Sequence, residues 1–186
     1  MAPLDTATAR TRLLDAAEEL FYARGIQSVG MDEIRTGAGL PLKRVYALYP
    51  AKEQLVEAYL QRRDVRWRAR LAAAVEEVAD PRERILAVFD WLGTWFREPG
   101  FRGCAWINGF GELGAVSDAV GRQARAHKRA FAGYVAGLVG DAGLPAGLGP
   151  QLVLLAEGAM VTAGILGTDA PAAEARAAAE VLLRGS

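Results

Sequence analysis

The chain has 186 residues, 52% of them hydrophobic, so it is long enough to bury a core and too apolar to be disordered as a whole. Its 22 basic and 22 acidic side chains cancel, which excludes a strongly basic nucleic-acid coat or an acidic tail at the level of the whole chain. A single cysteine excludes an internal disulfide and a cysteine-cluster zinc site, and a single histidine removes most histidine-rich metal sites, so no metal or cofactor is expected.

Period-3.6 patterning dominates and strand alternation is absent, so the expected fold is all-α with about nine helices. Met1 to Arg12 is polar and charged and holds no apolar signal core. The first helix is predicted from about Thr8 to Arg24, with Leu13, Leu14, Ala17, Leu20 and Phe21 at helical spacing and Gly25 as its stop. A short helix from about Met31 to Ala38 is broken by Gly39. A third covers about Pro41 to Leu48, with the proline suited to a first helical position, and Pro50 ends it. A long fourth helix runs from about Ala51 to Val78. Asp80-Pro81 opens a fifth, carrying Val88, Trp91, Leu92 and Trp95.

Glu98 to Gly103 reads as a loop, followed by a short helix from about Ala105 to Leu113 and a longer one from about Asp118 to Val139. Asp141 to Gly149 is rich in Gly and Pro and is the clearest linker. Pro150 opens a nearly all-apolar helix to about Leu166, and Pro171 opens a last, Ala-rich one. The stretch from Leu152 to Leu166 is short for a bilayer span and contains Glu157, so a soluble cytoplasmic protein with no membrane partner is expected.

Charge is not spread evenly: residues 1–70 hold 12 Lys/Arg and 9 Asp/Glu, residues 71–186 hold 10 and 13. The run Arg62, Arg63, Arg66, Arg68 and Arg70 supplies much of the N-terminal excess. It reads either as a positive face or as the solvated side of a long helix.

Residues 31–48 carry the most specific signal. Two short helices flank a glycine, the plan of a helix-turn-helix, and Gly39 suits the left-handed conformation that ends the first of them. Ile34, Ala38, Leu40 and Val45 have the spacing that packs the pair. The second helix would then present Leu42, Lys43, Arg44, Tyr46 and Ala47 outward. A helix fits the major groove, where Lys or Arg donates to guanine O6 and N7, while Tyr and Lys suit phosphate oxygens. A plain helical hairpin is the alternative.

The flanking sequence TRLLDAAEELFYARGIQSVGMDEIRTGAGLPLKRVYALYPAKEQL, residues 11–55, resembles the N-terminal DNA-binding domain of TetR-family repressors. The resemblance rests on Ala16-Ala17, Leu20-Phe21, Gly25, Ile34, Ala38-Gly39, Val45-Tyr46, Tyr49, Lys52 and Leu55. It implies a three-helix DNA-binding domain over 1–50 and a larger helical ligand-binding and dimerisation domain over 51–186. It also implies that Tyr46 and Lys52 contact phosphate, that Leu42, Lys43, Arg44 and Ala47 lie where the family reads bases, and that Met31 and Asp32 begin the supporting helix. The start of the fourth helix adds amide donors for an anion. Lys43 and Arg44 are the expected polar base readers.

Three residues depart from the family pattern. Arg35 replaces an alanine between the two helices, and must snorkel outward or bend the pair apart. Gly30 replaces a Ser or Thr cap, and Ala51 a polar cap whose loss costs about 1 kcal/mol.

Rings and polar groups cluster further on. Trp91, Trp95, Phe101, Cys104, Trp106, Phe110, Phe131 and Tyr134 either line an apolar pocket or fill a core. His127 and Glu157 stand inside apolar helices, as ligand-orienting groups or as satisfied buried polar residues. The resemblance favours a ligand cavity among these helices. The segment GCAWINGFGEL, residues 103–113, and the run from His127 also look like a C-terminal subtype of the family. The last two helices, one apolar around most of its circumference and one Ala-rich, suggest a four-helix dimer interface; a monomer with an internal core is the alternative.

The leading expectation is a ligand-responsive repressor that binds a palindromic DNA operator as a homodimer and is released by a small apolar or aromatic effector. A dimeric binding module that has lost DNA binding is the alternative. An enzyme with Cys104 as nucleophile and His127 as base lacks any local signature.

Overall fold

The computed structural model describes residues 4–185, and these form helices with no strand among them. The helices are α1 (Thr6–Arg24), α2 (Met31–Ala38), α3 (Leu42–Leu48), α4 (Lys52–Glu76), α5 (Pro81–Phe96), α6 (Ala105–Leu113), α7 (Asp118–Asp141), α8 (Leu148–Leu166) and α9 (Ala170–Arg184).

Local chemistry sets most of the helix ends. The Asp5 carboxylate accepts from the amides of Ala7 and Thr8, so α1 starts at Thr6 rather than Thr8. Asp80 does the same for Arg82 and Glu83 at α5. Gly39 closes α2 at φ 64°, and the Leu40 amide reaches back to the Arg35 carbonyl. Three prolines sit differently from expectation. Pro41 immediately precedes α3 and its carbonyl accepts from Arg44 and Val45. Pro150 and Pro171 stand inside the first turns of α8 and α9, where a missing amide donor is harmless. α8 therefore spans 19 residues, and it is long and apolar enough to cross a membrane by length and composition alone, a test that the core helix of a globular protein also passes.

Packing divides the chain into two compact units that do not follow a boundary at residue 50. The first comprises Met1–Arg63 with Ala105–Ala124, the second Asp64–Cys104 with Arg125–Ser186. The reason lies in long-range partners. In the first unit Leu55, Tyr59 and Leu60 of α4 are buried with Leu13, Ala17 and Phe21 of α1, Ile34 of α2 and Val45 of α3. The Phe21 and Tyr59 rings meet at 5.7 Å. α6 joins this unit because the Glu112 carboxylate accepts from the Gln27 amide at 2.8 Å.

Two residues of the arginine run also belong here. Arg62 pairs with Asp15 and Glu18 at 2.8 and 3.0 Å, and Arg63 pairs with Glu18 at 2.8 Å while lying 3.9 Å over the Tyr22 ring. They fasten α4 to α1 instead of facing water, contrary to a simple solvated stripe.

In the second unit α9 packs on α5 and α8. α8 comes so close to the turn before α6 that a Cβ at Gly164 would lie 2.9 Å from the Gly103 Cα. Gly103 itself holds φ 80°, so both glycines are required at this crossing.

Candidate nucleic-acid interface and effector site

The helix-turn-helix core forms as its spacing dictates: Ile34, Ala38, Leu40 and Val45 are all buried. Arg35 does not pry the helices apart. Its Nε donates to Asp32 at 2.8 Å, so the guanidinium lies outside the α2–α3 seam. Gly30 supplies no side-chain cap; its amide instead meets the Glu33 carboxylate at 3.5 Å, and Glu33 also pairs with Arg24.

The outward face of α3 presents Leu42, Lys43, Tyr46 and Ala47, all exposed. Lys43 has no hydrogen bond or ion pair among the described residues. Arg44 is placed otherwise: half-buried, it donates to the Thr6 hydroxyl at 2.9 Å and to the Leu4 carbonyl at 3.4 Å. It braces α3 against the start of α1, whereas Lys43 has no such tie. Met31 is half-buried and Asp32 is occupied by Arg35. Lys52 is half-buried at the start of α4, its ammonium 5.7 Å over the Phe21 ring. Burial pushes its pKa below the usual lysine value, against the opposing pull of Glu112 and Glu33.

The aromatic residues are packed against one another. Trp67, which the sequence reading left out, sits at the centre: Trp91, Trp95, His127 and Phe131 each meet its ring edge-on at 5.1 to 5.6 Å. Trp91 and Trp95 stack at 5.8 Å, and Trp95 meets Phe101 at 5.0 Å. Edge-to-face and offset contacts of this kind are how rings fill a core. Trp106 and Phe110 lie in the other compact unit, Trp106 buried and Phe110 exposed.

Polar groups among them have partners. His127 Nδ1 lies 2.7 Å from Asp64 Oδ1. Burial pushes the imidazole down to about 4, although Asp64 pulls the other way, so the ring is neutral at pH 7 and donates from Nδ1. Burial alone would raise the Asp64 carboxyl, but hydrogen bonds from Arg68 and His127 outweigh it and hold the group below the usual range. Lys128 pairs with Glu157 and stands 3.4 Å from the buried Cys104 sulfur.

Of the expected ligand residues, Phe131 and Tyr134 do line an open space. They form the α7 side of a cleft of about 290 Å³. The α4 side is Val65, Arg68, Ala69, Leu71 and Ala72. Positions 65, 68, 69 and 72 recur at the i, i+3, i+4, i+7 spacing of one helix face, a signal present in the sequence but hidden there by the arginine run.

Comparison with known proteins places this architecture. The sequence model for bacterial regulatory proteins of the tetR family matches residues 13–59. An uncharacterized HTH-type transcriptional regulator of Mycobacterium tuberculosis, Rv1255c, is 37% identical over 81 residues, which are 44% of this chain and only 40% of that relative. The HTH-type transcriptional activator FasR of Mycolicibacterium smegmatis is 35% identical over 81 residues, 44% of this chain and 37% of its own length. The crystal structure of SCO4454, a TetR-family transcriptional regulator from Streptomyces coelicolor, superposes with a TM-score of 0.87 at 32% identity, covering 96% of each chain. These relatives are regulators and not enzymes. A likeness of that identity over nearly the whole chain, with a helix-turn-helix at the matched position, means that this protein belongs to the TetR family of bacterial regulatory proteins.

Proposed function

We propose that the protein is a ligand-responsive, sequence-specific DNA-binding regulator that acts as a cytoplasmic homodimer on a palindromic operator. The exposed α3 face with Lys43 at its centre carries this reading. Leu42, Lys43, Tyr46 and Ala47 are the side chains a major groove would meet, and Tyr46 and Lys52 are the phosphate contacts. Two copies would set two such helices into successive grooves.

The dimer is supported by an apolar face on α8 and α9. Leu154, Ile165, Leu166 and Val181 are between 65% and 77% exposed in the single chain. An uncovered stripe of that composition marks an association surface. Two helices from each copy, related by a two-fold axis, bury it as a four-helix bundle.

The regulator acts as a repressor released by a small molecule. Release requires that the effector bind the DNA-competent and DNA-incompetent states with different affinity, and the coupling is reciprocal. Selection of bound sequences from random duplex DNA at moderate salt tests the reading. A palindromic enriched motif, with an affinity that falls steeply as salt rises, is the expected result. No enrichment by a folded dimer would refute DNA recognition and leave a helical binding module. A promoter–reporter fusion carrying the motif separates repression from the activation that names the FasR relative.

A further inference from the structure

The cleft between α4 and α7 has a composition that limits what fits it. Its walls are aliphatic and aromatic except for Arg68 and Tyr134. A volume of about 290 Å³ stands at the lower limit of ligand cavities, which restricts an occupant to a single ring or a short chain.

The two polar groups are both available as donors. Arg68 uses Nε and Nη2 on the Asp64 carboxylate, at 2.9 and 2.8 Å, and its Nη1 has no partner among the described residues. The other Asp64 oxygen is taken by His127, so Asp64 has little acceptor capacity left for a ligand. The Tyr134 hydroxyl likewise has no hydrogen-bond partner among the described residues. Burial first, and Glu76 second, keep it protonated. A ligand in this cleft therefore meets apolar walls, one guanidinium and one phenolic donor.

We propose that the α4–α7 cleft is the effector site and that it takes a small monocarboxylate, with its ring or chain against Val65, Ala69 and Ala72, over a floor closed by Leu71 and Phe131, and its carboxylate on Arg68 Nη1 and the Tyr134 hydroxyl. A carboxylate offers only acceptors and makes charge-assisted bonds to a guanidinium, about twice as strong as neutral ones. An amide of the same shape forfeits the charge, and an amidine or amine is repelled by Arg68. The site rests on the regulator reading only for its effect on DNA; binding itself is independent of it.

The experiment is isothermal titration of the full chain with benzoate, phenylacetate and hexanoate, each beside its uncharged amide, and with benzamidine. At least one carboxylate should bind at least fivefold tighter than its amide, and benzamidine should not bind. Arg68→Gln should remove that preference, and Tyr134→Phe should weaken the carboxylate about threefold. Ala72→Leu, which fills the cleft and leaves the Arg68–Asp64 pair in place, should abolish binding with an unchanged melting temperature. Carboxylates that bind no tighter than their amides, or a preference that survives both Arg68→Gln and Ala72→Leu in folded protein, would overturn the assignment. Gel-shift measurements on the selected operator separate the two proposals. DNA binding without carboxylate binding refutes this site alone, and carboxylate binding without DNA binding refutes the regulator alone.

Discussion

His127 is constrained by both burial and a charged partner. It is fully buried, neutral at pH 7 and bonded to Asp64. Its folded pKa of about 4 lies below the ordinary 6.5, so the unfolded chain binds a proton that the folded chain refuses. Stability is therefore full above pH 6.5 and falls as the pH drops from 6.5 to about 4, by roughly 3 kcal/mol in all. Urea melts across that window should show the loss in the wild type and a flat profile in His127→Gln; a flat wild type would mean that the ring is not held neutral. Lys43 and Arg44 give a second contrast. Lys43→Ala removes a side chain with no partner among the described residues and should weaken operator binding at least tenfold without moving the melting temperature. Arg44→Ala breaks the tie to Thr6 and Leu4 and should cost about 1 kcal/mol of stability, read by denaturant melts. Equal stability of the two variants would contradict the brace.

At the scale of elements, the crossing of α8 over the turn before α6 decides the sign of a glycine substitution. Gly164→Ala would force a Cβ to 2.9 Å from the Gly103 Cα, against backbone that cannot rotate away. The expected cost is about 1–3 kcal/mol. Gly137→Ala on α7 meets nothing within 4 Å and should instead stabilise by about 0.5–1 kcal/mol, because the unfolded chain loses freedom. Thermal melts of the two variants should shift in opposite directions. The α1–α4 seam shows the same dependence on context. Glu18 accepts from both Arg62 and Arg63, so one carboxylate ties two half-buried guanidinium groups of α4 to α1, beside the Arg62–Asp15 pair.

For the whole molecule, the proposed dimer makes the exposed stripe on α8 and α9 a link between association and function. The double substitution Leu154→Glu with Ile165→Glu places two like charges on side chains 73% and 77% exposed, so folding of the single chain is spared. Light scattering coupled to gel filtration should report a monomer with an unchanged helical circular dichroism spectrum. Operator affinity should fall with it, since one recognition helix forfeits the second half-site. A dimer that persists would move the interface elsewhere.

The all-α class, the nine helical segments among the described residues and the helix-turn-helix were legible in the residues alone, because they depend on short-range chemistry. Asp80-Pro81 starts a helix, Gly25 and Gly39 stop two, and Ile34, Ala38, Leu40 and Val45 repeat at the period that buries them. Partner choice was not legible. Trp67 at the hub of the ring cluster, Arg44 turned back onto Thr6, Arg62 and Arg63 clasping Glu18, and a cleft walled by α4 rather than by Trp91 and Trp95 all join residues more than 20 positions apart. A helix period tells which face of a segment seeks cover. Which other segment covers it, and therefore where a ring fills space and where space is left, is decided only when all the helices compete for the same interior.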